Sequence, residues 1–324
     1  MKKKLLVLLS MAVILAFVGC GATDDDETKT NAGTDAAGVT TVSPDGTTNG
    51  SEDKTDASET SKNEDGSTEN KEETSTSKES STDKEEPTTK YTGEYSEFDT
   101  TIMEYGVGNR RLEDGRYEGP IYCANLYKGY NVEFCKENEK VIYLTFDEGY
   151  ENGYTPKILD VLKEKKVCAV FFVTMDFAKS EPDLIQRIID DGHVLANHTV
   201  SHPSMPELTP AEQKEELMVL HNYIKDKYGY EMYLHRPPMG KISKQSVKVA
   251  DDCGYKTVLW SFAYYDYDTS KQPTKEEALE IMTSRLHNGG LYLLHAVSSA
   301  NTAALGDFID AARAQGYTFV EYTK

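Results

Sequence analysis

The stretch Val141-Ile-Tyr-Leu-Thr-Phe-Asp-Glu-Gly-Tyr150 decides the fold of this chain. Its apolar beginning, rich in β-branched and aromatic side chains, is typical of a buried β-strand. Two adjacent carboxylates, Asp147 and Glu148, end this strand directly before the turn residue Gly149. Charged groups are costly to bury unless they are paired. We therefore expect this strand end to belong to a functional site.

From residue 140 onward, apolar strand segments alternate with amphipathic helical segments, several of which begin at Ser, Thr or Pro and end at Gly. The predicted strands cover residues 141–146, 167–173, 193–196, 232–235, 256–260, 290–294 and 317–321. The predicted helices cover about residues 155–165, 181–191, 210–228, 243–252, 274–287 and 299–315. This alternation predicts a parallel, barrel-like α/β domain over residues 140–324.

Five segments with reactive side chains begin where a predicted strand ends. They contain Asp147, His198, Arg236, residues 260–267 and His295. In parallel α/β barrels the functional residues gather at the carboxyl ends of the strands. We therefore predict that these segments converge on one rim, in a combination typical of a metal-dependent hydrolase.

The pair His198 and His202 is spaced for metal binding. One helical turn would bring side chains four residues apart to the same side, where they can share a cation. An oxygen of Asp147 or Glu148 would complete two imidazoles and one carboxylate, a hydrolytic zinc pattern that leaves a position for water. A pair of hydrogen-bonded loop histidines is the alternative interpretation.

Asp147 and Glu148 are expected to have different roles, because consecutive side chains on an extended segment point in opposite directions. One carboxylate can meet the metal while the other accepts a proton from the attacking water. Arg236 is the candidate partner that keeps such a carboxylate ionised. Pro237 stiffens the loop that carries this arginine, and Gly240 allows a tight turn. A surface ion pair is the alternative interpretation of Arg236.

His295 ends the apolar run that begins at Leu291. A lone histidine in such a place is most often a structural residue. Asp266, however, could hold one ring nitrogen and leave the other free to donate a proton, which makes His295 a candidate general acid. The remaining histidines lack such neighbours and are interpreted as structural: His193, His221, His235 and His287.

The first 20 residues have the composition of a secretory signal peptide. Three lysines precede a mostly apolar run, Leu5 to Val18, which is too short to span a bilayer comfortably. Cys20 follows this run and resembles the lipid-modified cysteine of a bacterial lipobox. We expect a protein anchored through Cys20 to the outer face of the bacterial membrane; an ordinary signal peptide cut elsewhere is the alternative.

Residues 21–90 contain no aromatic residue, Leu, Ile or Met, and their acidic residues far outnumber their lysines. Such a segment cannot bury enough apolar surface to fold, so it is predicted to be a disordered acidic linker. It carries most of the formal net charge of −20, and this charge argues against nucleic acid as a partner. Residues 91–139, rich in Tyr and Gly, are predicted to form an appendage on the barrel, and we expect a monomer.

The cysteines indicate no zinc site of their own, because the sequence has no Cys-x-x-Cys pair. Cys168 and Cys253 lie in apolar contexts and are expected to be small buried side chains. Cys123 and Cys135 could form a disulfide in an exported protein, although their spacing alone does not show one.

Five ordered motifs carry a resemblance to a known family. They are Thr145-Phe-Asp-Glu-Gly149, His198-Thr-x-x-His202, Arg236-Pro-Pro-x-Gly240, the segment Ser261 to Tyr267 that contains Asp266, and Leu293-Leu-His295. In order and spacing they resemble the motifs of the polysaccharide deacetylases, carbohydrate esterase family 4. The first, fourth and fifth are similar to one branch in particular, the delta-lactam-biosynthetic muramic acid de-N-acetylases.

The resemblance implies a distorted (β/α) barrel that removes acetyl groups from the amino sugars of peptidoglycan glycan strands. It implies one divalent metal ion, zinc or alternatively cobalt or manganese. The roles that it implies are Asp147 as general base, Arg236 orienting Asp147, His295 as general acid, Asp266 orienting His295, and Glu148, His198 and His202 as metal ligands. The substrate-binding residues that it implies are Tyr150, Pro237, Met239 and Tyr267.

Three positions depart from the family pattern. Glu148 stands where the family has Asp and the muramic branch has Asn, Tyr267 replaces a Trp, and Met239 stands where an aromatic residue is common. Changed side chains in the wall of the substrate site can change the preferred sugar. A deacetylase that acts on N-acetylglucosamine or on another polysaccharide is therefore an alternative interpretation. A silent glycan-binding protein is a second alternative. A glycosidase that uses Asp147 and Glu148 as its carboxylate pair fits poorly, because neighbouring side chains cannot flank a sugar bond.

Overall fold

The computed structural model describes residues 93–323, and these form the predicted parallel α/β barrel. The strands are β1 (Met103–Glu104), β2 (Val132–Glu133), β3 (Val141–Glu148), β4 (Ala169–Val173), β5 (Val194–Asn197), β6 (Leu234–His235), β7 (Lys241–Ile242), β8 (Lys256–Val258), β9 (Gly290–His295) and β10 (Thr318–Phe319). The main sheet has the order β10-β3-β4-β5-β6-β8-β2, and β9 also pairs with β3. All of these pairings are parallel.

Helices connect the strands in the alternation that the sequence predicts. They are α1 (Glu118–Leu126), α2 (Thr155–Lys165), α3 (Met175–Ser180), α4 (Pro182–Asp190), α5 (Pro210–Tyr228), α6 (Lys244–Asp252), α7 (Lys275–Ser284) and α8 (Ser299–Ala314). Their starts follow from local chemistry, since α5 and α7 each begin with a threonine in a capping box and a glutamate three residues later. The predicted fold class is confirmed, and the bounds of α2 and α5 match the predicted segments.

The side chains of β3 alternate between two environments. Ile142, Leu144 and Phe146 belong to a large apolar cluster that includes side chains of α2 and α8. A second cluster contains strand residues such as Phe172 and Leu291 and fills the interior of the barrel. This alternation has a period of two residues. Each strand end therefore directs one side chain into the barrel and the next one under the helices.

The segment before the first long strand is built into the barrel wall. Its strand β2 pairs with β8, and β1 pairs with β7 in an antiparallel ribbon. Tyr105, Tyr127 and Phe134 pack against Ile242 and Leu259 in a third apolar cluster. The appendage predicted at residues 91–139 therefore shares a core with the barrel in its described part.

The four cysteines of the described region, Cys123, Cys135, Cys168 and Cys253, are all free. The disulfide that Cys123 and Cys135 could form is therefore not made. None of the helices within residues 93–323 is long and apolar enough to cross a membrane. The predicted signal peptide, the lipidation site at Cys20 and the linker at residues 21–90 lie outside the described residues.

Candidate active site

A cavity of about 570 Å³ opens at the carboxyl ends of the parallel strands. Its lining residues are Asp147, Gly149, Tyr150, His198, His202, Pro237, Met239, Trp260, Ala263, Tyr264, Tyr267, Leu293, His295 and Val297. The segments that were expected on one rim are therefore brought together. Arg236 and Asp266 are fully buried and contact residues of the cavity lining from behind.

Arg236 is held rigidly beneath Asp147. Its Nη1 donates to Asp147 Oδ1 at 2.7 Å and to Thr145 Oγ1 at 2.9 Å. Its Nε and Nη2 donate to the carbonyl oxygens of Val258 and Leu259 at 3.1 and 3.2 Å. Because the arginine is fully buried, the surface ion pair considered for it is excluded. Its charge is directed at one carboxylate.

Asp147 remains ionised although it is buried. Burial alone would raise its pKa, but the interactions with Arg236, His198 and His295 outweigh that effect and hold the pKa below its ordinary value. Because Oδ1 is bound to Arg236, Oδ2 is the oxygen left to accept a proton. This oxygen lies 3.6 Å from His198 Nε2.

His198 is a neutral imidazole with a fixed tautomer. Its Nδ1 lies 2.8 Å from the carbonyl oxygen of Arg236, and a carbonyl can only accept, so Nδ1 carries the proton. The lone pair is then on Nε2, the nitrogen nearer Asp147. Burial lowers the pKa of His198 to about 4, and burial likewise lowers the pKa of His202. Neutral imidazoles with a free lone pair are the form that binds metals.

The two histidines meet through a loop and not through the predicted helical turn. Their ring centroids are 4.8 Å apart and the rings are nearly perpendicular. After β5, Thr199 and His202 adopt left-handed φ angles of 73° and 58°. The Asn197 side chain accepts from the Thr199 N–H at 2.8 Å, and the Thr199 hydroxyl accepts from the His202 N–H at 3.0 Å. Backbone strain of this kind is typical of functional sites.

Glu216 of helix α5 also holds this loop in place. Its Oε2 accepts hydrogen bonds from the backbone N–H groups of Val200 and Ser201, both at 2.9 Å. Its Oε1 accepts from the Ser201 hydroxyl at 2.6 Å. One carboxylate therefore satisfies three donors in the residues directly before His202.

Glu148 is not brought to the cavity. It is the last residue of β3, on the face that bears Ile142, Leu144 and Phe146, and it is fully buried. Its two carboxyl oxygens lie 3.4 and 3.3 Å from the Thr155 hydroxyl at the start of α2. Burial, the nearby Glu151 and Asp147 raise its pKa well above the ordinary value, against the effect of Thr155. The raised pKa favours the protonated carboxyl group, and the contact with Thr155 directs it toward helix α2.

The structure thus presents two of the three metal ligands that the resemblance implies. His198 and His202 line the cavity, whereas the carboxyl of Glu148 contacts helix α2. Within residues 93–323, no group of three or more His, Cys, Asp and Glu side chains is disposed to hold a metal ion. The two imidazoles suit a divalent cation, but the set of Glu148, His198 and His202 does not gather.

Asp266 and His295 form a second pair, in which Asp266 is fully buried and His295 is half-buried. His295 Nδ1 donates to Asp266 Oδ1 at 2.7 Å, and the backbone N–H of His295 donates to Oδ2 at 2.8 Å. The Asn301 side chain donates to Asp266 as well. Burial alone would lower the pKa of His295, but Asp266 outweighs this effect and raises it. His295 Nε2 is left to exchange a proton.

The predicted substrate-binding residues all line the cavity. Tyr150, Met239 and Tyr267 are exposed, and the ring of Tyr267 lies edge-on to His295 with 5.5 Å between centroids. Three contacts were not predicted, namely those of Thr145 to Arg236, Asn301 to Asp266 and Glu216 to the histidine loop. No pattern in the sequence marks these partners, because each lies far along the chain from the group that it holds.

A buried arginine–aspartate pair and an aspartate–histidine pair thus lie together at the rim of a parallel barrel, a combination that is typical of hydrolases. Comparison with known proteins agrees with this class. The family model described as polysaccharide deacetylase matches residues 135–258. The peptidoglycan-N-acetylmuramic acid deacetylase PdaA of Bacillus subtilis is 44% identical over 182 residues, which cover 56% of this chain and 69% of that protein.

Two further comparisons agree. A peptidoglycan-N-acetylglucosamine deacetylase of Bacillus cereus is 31% identical over 59% of this chain and 91% of its own length. The solved structure of Bacillus subtilis PdaA, described as a family 4 carbohydrate esterase, superimposes with a TM-score of 0.65 at 38% identity, over 68% of this chain and 94% of that one. The chain belongs to the polysaccharide deacetylase family, carbohydrate esterase family 4. Enzymes of this family generally use a divalent metal ion.

Proposed function

We propose that this protein hydrolyses the N-acetyl group of peptidoglycan amino sugars, with N-acetylmuramic acid as the substrate, and releases acetate and a free amine. The observation that carries the proposal is that Asp147, bound to Arg236, and His295, bound to Asp266, line one cavity. The pKa of Asp147 is lowered and that of His295 is raised. An ionised carboxylate and a protonated imidazole are the base and the acid that amide hydrolysis requires.

The base acts on the attacking water. Asp147 Oδ2 accepts a proton as the water oxygen forms its bond to the acetamide carbon. Arg236 holds Oδ1 throughout, so the carboxylate cannot turn away. The fixed position of this oxygen lowers the entropic cost of the step.

The acid acts on the departing amine. The bond between the acetyl carbon and the sugar nitrogen breaks as His295 Nε2 gives its proton to that nitrogen. Asp266 holds Nδ1 and stabilises the imidazolium before the transfer. The proton taken by Asp147 and the one given by His295 balance, and the products are acetate and the amine.

A divalent metal would be held by His198 and His202, the two predicted ligands that line the cavity. Zinc is our proposal, with cobalt or manganese as alternatives. When bound, such an ion polarises the acetamide carbonyl and stabilises negative charge that develops on its oxygen. We do not include Glu148 among its ligands, because its carboxyl group contacts Thr155.

Muramic acid is favoured over glucosamine as the substrate by the higher identity to the muramic acid deacetylase, 44% against 31%. The N-terminal sequence supports the location that such a substrate requires. We propose an exported monomer, anchored to the outer face of the bacterial membrane through Cys20 and connected to the barrel by the acidic linker at residues 21–90. This arrangement places the barrel next to the wall.

The experiment is digestion of purified peptidoglycan, with acetate measured in solution and muropeptides analysed by mass spectrometry. The expected result is loss of acetyl groups from muramic acid. Asp147→Asn should abolish acetate release, because the variant keeps the shape of the residue but cannot take the proton. Activity within about tenfold of wild type, a barrier change of only about 1.4 kcal/mol, would remove Asp147 from this role.

The products also separate the alternatives. Loss of acetyl from glucosamine would replace the proposed substrate, and release of new reducing ends would indicate a glycosidase. A wild-type protein that binds glycan but releases no acetate from any peptidoglycan would be a silent binding protein.

A further inference from the structure

A second concavity lies beside the catalytic cavity and is not used by the proposed mechanism. We call it the side groove; its volume is about 520 Å³, and its lining residues are residues 106–109, Tyr117, Trp260, residues 262–265, Tyr267 and Arg285. Trp260, Tyr264 and Tyr267 line both the side groove and the catalytic cavity. A substrate in the cavity therefore has a short path into the side groove.

Two tyrosines border this path and are unusually exposed. Tyr265 has 79% of its surface exposed and Tyr267 has 52%. Their ring centroids are 5.8 Å apart, and Tyr267 also contacts His295. Neighbouring exposed aromatic rings are typical of a binding surface, because their flat faces offer apolar contact area while their hydroxyl groups stay in water.

Arg285 supplies the only cationic side chain of the side groove. It is exposed, and no carboxylate within residues 93–323 forms an ion pair with it. Arg187 and Arg236, by contrast, pair with Asp160 and Asp147. Arg313 also has no carboxylate partner among the described residues, but its guanidinium donates to the Lys165 carbonyl oxygen. In a protein with a formal net charge of −20, a guanidinium without a carboxylate partner is a ready site for an anion.

We propose that the side groove binds the acidic substituent on carbon 3 of the sugar whose acetamide, on carbon 2, lies in the catalytic cavity, and that Arg285 pairs with its carboxylate. This inference rests on the proposed function. In muramic acid, carbon 3 carries a lactyl ether, which ends in a carboxylate or continues into a stem peptide with carboxylates of its own. Glucosamine has only a hydroxyl group there. Arg285 is thus a specificity determinant for muramic acid.

The adjacency of carbons 2 and 3 supports this assignment. In a sugar that presents its acetamide to Asp147 and His295, the substituent on carbon 3 starts one carbon away, close to the wall of the cavity. That wall is formed in part by Tyr264 and Tyr267, and the side groove begins on its other side. A planar guanidinium can bind a carboxylate with two parallel hydrogen bonds, which gives the groove directional selectivity.

The test measures glycan binding separately from catalysis. Asp147→Asn protein, which should bind but not hydrolyse, is titrated by calorimetry with four tetrasaccharide probes: glycan with free lactyl carboxylates, the same glycan with lactyl methyl amides, glycan with stem peptides, and chitotetraose. Arg285→Gln is added to this background, with Arg285→Lys as the conservative variant. Lys275→Gln is the matched control, because it removes the same charge from an exposed ion pair on helix α7.

The expected result is about a tenfold weaker affinity of Arg285→Gln for a carboxylate-bearing glycan, partial recovery with Arg285→Lys, and no change with Lys275→Gln or on chitotetraose. A loss confined to the free lactyl glycan identifies the lactyl carboxylate as the partner, and a loss confined to the peptide-bearing glycan identifies the peptide. Equal affinity of Arg285→Gln and its parent for every probe would overturn the proposal. So would a loss of affinity for chitotetraose as large as that for the carboxylate-bearing glycans, or no binding of any glycan.

Acetate release by the unmutated protein is measured in parallel. If acetate is released but Arg285→Gln binds every probe normally, the side groove proposal fails and the proposed function stands. If no acetate is released but binding depends on Arg285, the proposed function fails and the side groove remains.

Discussion

The pKa of each reactive side chain in this site depends on its charged neighbours. Asp147 and His295 line the same cavity, yet their pKa values move in directions that favour the charged form of each. Arg236 stabilises the carboxylate, and Asp266 stabilises the imidazolium. Two buried charges of opposite sign thus hold two reacting groups in the states that a base and an acid need.

The pH profile should report the Asp266 contribution. His295 acts as an acid only when it is protonated, so activity should be lost as the pH rises through its raised pKa. In Asp266→Asn, His295 loses the carboxylate that raises its pKa, while burial still lowers that pKa. The alkaline limb of kcat/KM should therefore move to lower pH. A fall of about a hundredfold or more in kcat is also expected, since general acids contribute about 10²–10⁴.

The measurement is acetate release across neutral to alkaline pH, with Asp268→Asn as the control. Asp268 is near in sequence but does not line the cavity. An unmoved alkaline limb in Asp266→Asn would show that another group supplies the proton.

Glu148 offers a second test at the scale of one residue. Its raised pKa favours a protonated carboxyl group in contact with Thr155, and a glutamine amide resembles that form in shape and charge. Glu148→Gln should therefore retain bound metal and lose less than tenfold in kcat, a barrier change below about 1.4 kcal/mol. His202→Ala should lose both the bound metal and the activity. Elemental analysis after dialysis, paired with acetate release, decides; loss of metal in Glu148→Gln would restore this residue as a ligand.

Secondary structure elements decide which face of a strand meets the substrate and how a loop is held. Strand β3 sends Asp147 into the barrel and Glu148 beneath helix α2. Helix α5 contributes Glu216, whose carboxylate anchors the residues before His202. The histidine loop is strained at Thr199 and His202, so it needs such external anchoring.

Removal of the Glu216 carboxylate should release this loop. Glu216→Ala leaves the N–H groups of Val200 and Ser201 without their acceptor, and hydrogen bonds to charged groups contribute about 1.5–3 kcal/mol each. We expect a lower free energy of unfolding and a larger loss of metal affinity and kcat than stability alone explains. Glu215→Ala, an exposed neighbour on the same helix, is the control. Full metal content and activity in Glu216→Ala would mean that the loop keeps its conformation without the Glu216 carboxylate.

At the scale of the whole molecule, the barrel and the segment before it share one core in the described region. Strand β2 joins the main sheet, and Tyr105, Tyr127 and Phe134 pack against residues of the later chain. Gly289 shows how close this contact is, since a Cβ there would lie 2.2 Å from the Glu137 carbonyl oxygen. The chain between residues 93 and 139 therefore cannot be removed without exposing the barrel core.

The anchor can be tested on the full-length protein. The apolar run that ends before Cys20 predicts lipidation, so Cys20→Ala should appear in the soluble fraction after cell breakage. Cys123→Ala, which changes a cysteine of the folded region, should remain with the membranes. Labelling with a fatty acid should be lost in the first variant alone. Unchanged membrane retention of Cys20→Ala would contradict the lipid anchor.

The sequence alone determined the order of strands and helices from residue 140 onward and most of the groups that line the cavity. Apolar periodicity is a local property, so β3, α2 and α5 could be predicted from their own residues. The parallel topology then required Asp147, His198 and His295 to meet, because each follows a strand. The motif that contains Tyr267 also predicted part of the cavity wall.

The tertiary structure alone decided which partner each of these groups has. The contacts of Arg236 with Thr145, of Asp266 with Asn301 and of the histidine loop with Glu216 join residues that no local pattern links. Glu148 and Asp147 have the same chemistry in sequence, and the two faces of β3 give Glu148 a raised pKa beneath helix α2 and Asp147 a lowered pKa beside Arg236. Burial and neighbouring charge set a pKa, and both are properties of packing rather than of the residue.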